Sequence, residues 1–157
     1  MKQRARGKTP SDDQCLLMWR QCLSANLRLT ERLVTRHYDS YLAGSGVTAV
    51  QLPILGIVAT APDPSFRLLA EELELDRSTL SRNLAVLERD GILTIDPPSG
   101  PKPGLIALTT KGRNTLRRAW PRWNEAHRVL ETALSRDGLS SGLAFLRTLR
   151  RGVRTAR

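Results

Sequence analysis

The chain has 157 residues and a formal net charge of +10, from 25 Lys and Arg against 15 Asp and Glu. That length suffices for one domain with a real core, and the basic balance favours an acidic partner such as nucleic acid. No apolar run approaches the ~20 residues needed to span a bilayer, no apolar core follows the basic N-terminus as in a signal peptide, and two cysteines make no disulfide framework. The expectation is a cytoplasmic protein.

Residues 1–10 read as a disordered basic tail, carrying Lys2, Arg4, Arg6 and Lys8. A long helix is then predicted from Asp12 to Leu42. Leu16, Trp19, Leu23, Leu27, Val34, Tyr38 and Tyr41 recur at helical spacing, Ser11 can cap it, and Gly44-Ser45-Gly46 ends it. Cys15 and Cys22 fall on this helix. Seven residues of α-helix rise about 10.5 Å, beyond the ~7 Å Cα limit for a disulfide, so an intact helix excludes that bond. With no C-x-x-C and no histidine pair at ligand spacing, no metal site is expected. The two cysteines are small apolar residues of an interface or, alternatively, redox sensors. His37, between Arg36 and Tyr38, is expected to be exposed or at the helix edge.

Thr48 and Gln51 form a capping-box pattern for a helix over about Ala49–Ala59, broken by Pro62 and Pro64. Ser65 caps the next helix, where Leu68, Leu69 and Leu73 face a core. Asp76 can cap a further helix by accepting from the N–H of Ser78 or Thr79. In that helix Leu80, Leu84 and Leu87 form the apolar line, while Arg77, Ser78, Ser81 and Arg82 form a polar face. Gly91 suits a left-handed C′ position. Ile92–Ile95 and Leu105–Leu108 read as two short strands around the turn chemistry of 96–104. Helix, turn, helix and hairpin in this order give a winged helix-turn-helix, a mainly α fold with a small β-hairpin wing.

Another long helix runs from Thr109 to about Ser135, with Leu116, Trp120, Trp123, His127, Leu130 and Leu134 on one stripe and a kink expected at Pro121. A last helix is predicted over about Ser140–Val153. These terminal helices exceed what a winged helix needs and require something to bury against. Residues 11–157 are read as one domain, with the DNA-binding unit at about 48–108 and long helices outside it at 11–44 and 109–155, the dimerisation helices of the family resemblance given below.

The runs Leu69-Ala70-Glu71-Glu72-Leu73, Asp76-Arg77-Ser78-Thr79-Leu80-Ser81-Arg82, Leu87-Glu88-Arg89-Asp90-Gly91 and Leu108-Thr109-Thr110-Lys111-Gly112-Arg113 resemble those of the MarR family of bacterial transcription regulators, from about Ser24 to the C-terminal helix. The resemblance implies a homodimer that reads a palindromic operator in double-stranded DNA, with an effector bound between the dimer helices and the DNA-binding unit. The family carries Asp-x-Arg in the wing; here Gly100 and Lys102 hold those places.

The DNA-binding candidates are Ser65, whose helix N-terminus suits a phosphate, then Arg77, Ser78, Thr79, Ser81, Arg82 and Asn83, with Lys102 in the wing. Arg77 and Arg82 can donate bidentately to guanine or phosphate, and Asn83 can pair with adenine if it faces the groove. Trp19, Trp120, Trp123 and His127 are candidates for a pocket holding a small planar aromatic effector, the alternative being dimer core. Some relatives sense peroxides with a first-helix cysteine, which Cys15 or Cys22 would supply. With two histidines and no nucleophile elbow, phosphate loop or metal motif, no enzyme and no cofactor are expected. The competing reading is a dimeric interaction module on the same fold that has lost DNA binding. Its motive is the absent wing Asp-x-Arg and the local charge of Phe66–Gly91, four Arg against six acids.

Overall fold

Ser65 Oγ accepts from the Leu68 N–H at 3.3 Å, and Asp76 Oδ1 from the Thr79 N–H at 2.9 Å, so both helices of the helix-turn-helix start where a side chain meets an orphaned donor. The computed structural model describes residues 9–97 and 104–156. Its elements are α1 (Asp12–Gln21), α2 (Leu23–Leu42), α3 (Leu52–Thr60), α4 (Phe66–Leu73), α5 (Arg77–Arg89), β1 (Leu93–Ile95), β2 (Ile106–Leu108), α6 (Thr110–Leu134) and α7 (Arg136–Thr155). The tail before residue 9 and the wing tip with Gly100 and Lys102 lie outside the described residues. The chain divides into two units, through Arg36 and from His37.

In the first unit α1 opens on a full capping box between Ser11 and Gln14. The expected single helix is interrupted at Cys22, whose ψ of 108° is extended. The Asn26 amide braces the break: its Nδ2 donates to the carbonyls of Arg20 at 3.1 Å and Cys22 at 3.0 Å, and its own N–H also donates to that of Cys22 at 3.1 Å. The argument from helical rise therefore does not govern the cysteine pair; both thiols are free, with Cys15 exposed and Cys22 half-buried. No residue of α1 is buried.

In the second unit, Ile54, Leu55 and Val58 of α3, Leu69 of α4, and Leu80, Leu84 and Leu87 of α5 bury against Leu42, Ile92, Leu93, Ile106 and Ala119. The Thr48–Gln51 capping box forms in both directions, yet regular helix begins only at Leu52. After α5, Gly91 adopts φ +66°; its N–H donates to Glu88 and that of Ile92 to Leu87, both at 2.8 Å, a Schellman closure. The strands pair antiparallel, Leu93 with Leu108 and Ile95 with Ile106. Ile106 N–H also donates to the Pro64 carbonyl, and Leu105 bridges Ser65, tying the hairpin to the start of α4.

α6 runs through Pro121 as one helix. α7 begins at Arg136, four residues before the expected start at Ser140. Ser135, at φ 62°, accepts from the Gly138 N–H at 3.1 Å, so the serine caps the helix although Gly138 reads as a breaker. His37 is not a loose edge residue. It is half-buried, and its Nε2 donates to the Ala126 carbonyl at 2.9 Å. Beside it, Tyr38 Oη lies 3.0 Å from His127 Nδ1, so α2 is stitched to α6 twice.

Candidate nucleic-acid interface

The apolar line Leu80, Leu84 and Leu87 turns one side of α5 into the core. The same helical period presents Arg77, Ser78, Ser81 and Arg82 to solvent, with Thr79 and Asn83 half-buried between the two faces. Asp76 organises the N-terminal turn. Its carboxylate accepts from Ser78 Oγ at 2.6 Å, Thr79 Oγ1 at 2.7 Å and the Thr79 N–H. These bonds, that of the Ser78 hydroxyl foremost, hold the carboxyl well below the usual carboxylate range. With their protons given to Asp76, the two hydroxyl oxygens are left as acceptors, exposed at Ser78 and half-buried at Thr79.

Arg82 Nη2 rests 3.3 Å from Thr79 Oγ1, leaving the rest of its guanidinium fork in solvent. Arg77 lies over the Phe66 ring, 5.9 Å from its centroid, which positions it at the junction of α4 and α5. Asn83 is turned the other way: its Nδ2 donates to the Thr79 carbonyl at 2.9 Å, along its own helix. Glu74 makes the turn between the helices with φ 51°. Its carboxylate pairs with Arg154 of α7. Two further ion pairs lie within the segment, Arg67–Glu71 at 2.8 Å and Arg89–Asp90 at 3.1 Å. Arg77 and Arg82 are the arginines of this region that no carboxylate engages among the described residues.

The MarR family model matches residues 45–100, which hold α3, α4, α5 and β1. Over that stretch the winged helix of this chain is similar to that of the MarR family. The regulator MosR of M. tuberculosis, solved in complex with DNA, is 26% identical with a TM-score of 0.79, over 87% of this chain and 99% of that one. A mutant MarR from E. coli, solved with operator DNA, is 22% identical with a TM-score of 0.74, over 85% and 97%. PcaV from Streptomyces coelicolor, solved with its natural ligand, is 22% identical with a TM-score of 0.72, over 96% and 100%. The last two likenesses concern the fold. None of the curated proteins matches the sequence.

Beside the helix-turn-helix, α6 carries a ladder of rings. Trp123 stacks on His127 at 4.8 Å and on Trp120 at 5.4 Å, and Tyr38 lies parallel to Trp123 at 6.3 Å. Three of the four expected pocket residues thus come together, with Tyr38 added by α2. Trp19 belongs to the first unit, on α1, and is 63% exposed. Tyr38, Leu52, Pro53, Gly56, Leu116, Trp120 and Trp123 enclose a cavity of about 500 Å³. Gly56, Leu116 and Trp120 also border a cavity of about 970 Å³ reaching Arg113, Arg117 and the wing strands. Nothing in the local sequence announces Tyr38; its contact with His127 spans 89 residues.

Three arginines of α6 also tie the fold together: Arg113 donates to the Leu108 carbonyl at 2.7 Å, Arg118 to that of Ser45 at 3.3 Å, and Arg122 to that of Ala43 at 2.6 Å. Among the described residues no cluster of His, Cys, Asp and Glu suits a metal ion, and no helix is long and apolar enough to cross a membrane.

Proposed function

We propose that the chain is a sequence-specific DNA-binding transcription regulator that works in the cytoplasm as a homodimer, a repressor released by a small molecule, and not an enzyme. The carrying observation is α5 itself, a capped helix inside a winged helix whose solvent face offers Arg77, Ser78, Ser81 and Arg82. Arg82 is read as the principal base contact, Ser78 and Thr79 as acceptors for exocyclic amino groups, and Ser65 as the helix N-terminus that meets a phosphate. Lys102 is the wing candidate.

The dimer reading rests on apolar side chains left in solvent: Leu16, Leu17, Met18 and Trp19 on α1, and Phe145 and Val153 on α7. The effector reading rests on the cavity beside Trp120 and Trp123, whose parallel rings suit a flat aromatic molecule. Cys15 and Cys22, both free, keep an oxidant signal as the second reading.

Selection of bound duplexes from a random pool tests the central statement. The expected result is enrichment of a palindrome with half-sites about 10 base pairs apart, as two recognition helices on successive major grooves require. A pool that shows no enrichment at low salt overturns it in favour of a protein-interaction module.

A further inference from the structure

Within the helix-turn-helix Arg67 and Arg89 pair with carboxylates, which leaves Arg77 and Arg82 as its cations without a carboxylate partner among the described residues. Binding a duplex demands more. DNA carries one negative charge per about 1.7 Å of axis, and affinity is largely phosphate neutralisation. The supply lies on α7. Arg147, Arg150, Arg151 and Arg154 recur at spacings of three, one and three, which puts all four on one side of the helix. With Ala144 and Thr148 they line a groove of about 370 Å³. Arg147, Arg150 and Arg151 pair with no carboxylate among the described residues. Phe145, Leu149 and Val153 occupy the far side of the helix, so covering the apolar stripe in a dimer leaves the arginines uncovered.

The groove also begins beside the helix-turn-helix. Arg154 is bound to Glu74, the turn residue two positions before the cap of α5. The arginine row therefore starts at the helix-turn-helix corner, and Arg147 lies about 10.5 Å along the helix from Arg154, a length matching about six duplex charges.

We propose that the arginine face of α7 is a second DNA-contacting element, gripping the phosphate backbone beside the half-site that α5 reads. This rests on the DNA-binding reading above. α5 supplies sequence choice, and α7 supplies much of the salt-dependent affinity.

The test uses the full chain on its selected operator embedded in a long duplex. Replacing Arg147, Arg150 and Arg151 together by Ala is expected to lower the slope of log affinity against log salt by about 0.9 per lost phosphate contact, about 2.7 per protomer. The corresponding triple Lys variant restores most of the slope. Arg154 stays in place to keep its tie to Glu74. A second measurement is independent of those variants: Thr148→Cys in a Cys15→Ser, Cys22→Ser background, carrying an iron–EDTA reagent, is expected to cleave the duplex beside the half-site. An Ala variant with the parental slope, a Lys variant that behaves like the Ala one, or a reagent at Thr148→Cys that leaves bound DNA intact overturns the proposal. A parent chain that binds no duplex overturns the DNA-binding reading itself, and so is distinguishable from these results.

Discussion

Gly112 lies so close beneath Ile92 that a Cβ built on it would sit 2.1 Å from the Ile92 carbonyl oxygen. That oxygen also accepts from the Thr109 N–H at 3.1 Å, and Thr109 Oγ1 donates to the Gly91 carbonyl at 2.7 Å while accepting from the Gly112 N–H at 2.9 Å. The first turn of α6 is thereby seated on the chain that leaves α5. The recognition helix, the root of the wing and the long helix meet at one joint, and a glycine is what lets the backbones touch.

Gly112→Ala is therefore expected to be among the most disruptive single-methyl changes in the chain. The collision is with backbone, which cannot swing away as a side chain can, so a loss of about 3 kcal/mol is anticipated, the upper part of the overpacking range. Gly142→Ala on α7 is the matched control, because its Cβ would meet nothing within 4 Å. It should stabilise by about 0.4–1 kcal/mol. Urea unfolding of both variants decides the matter; equal midpoints would mean that α6 is not seated on Ile92.

Asp76 predicts an acid response. Its folded pKa is depressed, so the stability it contributes is complete above the unfolded value of about 3.9 and is lost as pH falls through the folded one. Asp76→Asn can still cap α5 but has no proton to gain. Its urea midpoint should fall less steeply than that of the parent between about pH 5 and pH 2. Parallel curves would show that the carboxylate does not hold the start of the recognition helix.

Two neighbouring residues of α5 should behave differently toward DNA. Arg82→Ala is expected to weaken binding to the selected operator by about 1–3 kcal/mol and to relax the choice of base at one position of each half-site. Asn83→Ala should cost less, because the amide is already spent on the Thr79 carbonyl. Quantitative binding to the operator and its single-base variants measures both. An Asn83 effect larger than that of Arg82 would put the groove on the other side of the helix.

Gly56 stands between the two cavities, with nothing within 4 Å of a Cβ placed on it. Gly56→Leu should fill the space beside Trp120 while raising helix propensity in α3 by roughly 1 kcal/mol. Operator binding is expected to persist. Phenolic and carboxylate compounds that quench tryptophan emission and release DNA in the parent should do neither in this variant. Retained release would move the effector elsewhere, toward the cysteines of the first unit.

The parts legible in the sequence are those made by chemistry within a few residues. Ser65, Asp76 and Thr109 announce helix starts because each needs only an N–H three residues on, and Gly91 announces an end because it alone accepts φ +66° cheaply. The interruption at Cys22 was not legible as periodicity, since the apolar spacing continues across it; the signal was Asn26, a side chain able to take carbonyls from the helix. Ser135 followed by Asp137 is a readable cap for α7, four residues before the start expected at Ser140. The roles of His37, Tyr38, Arg118 and Arg122 depend on partners 73 to 89 residues away. No local pattern reveals them.

The arginines of α6 and those of α7 answer differently to solution conditions. Arg118 and Arg122 hold neutral carbonyls of Ser45 and Ala43, so their bonds have no titrating acceptor and no counter-charge for ions to screen. The row on α7 faces open solvent, where added ions compete directly. Raising ionic strength should thus dislodge the protein from a polyanion while leaving its internal framework assembled, giving a grip that releases without unfolding.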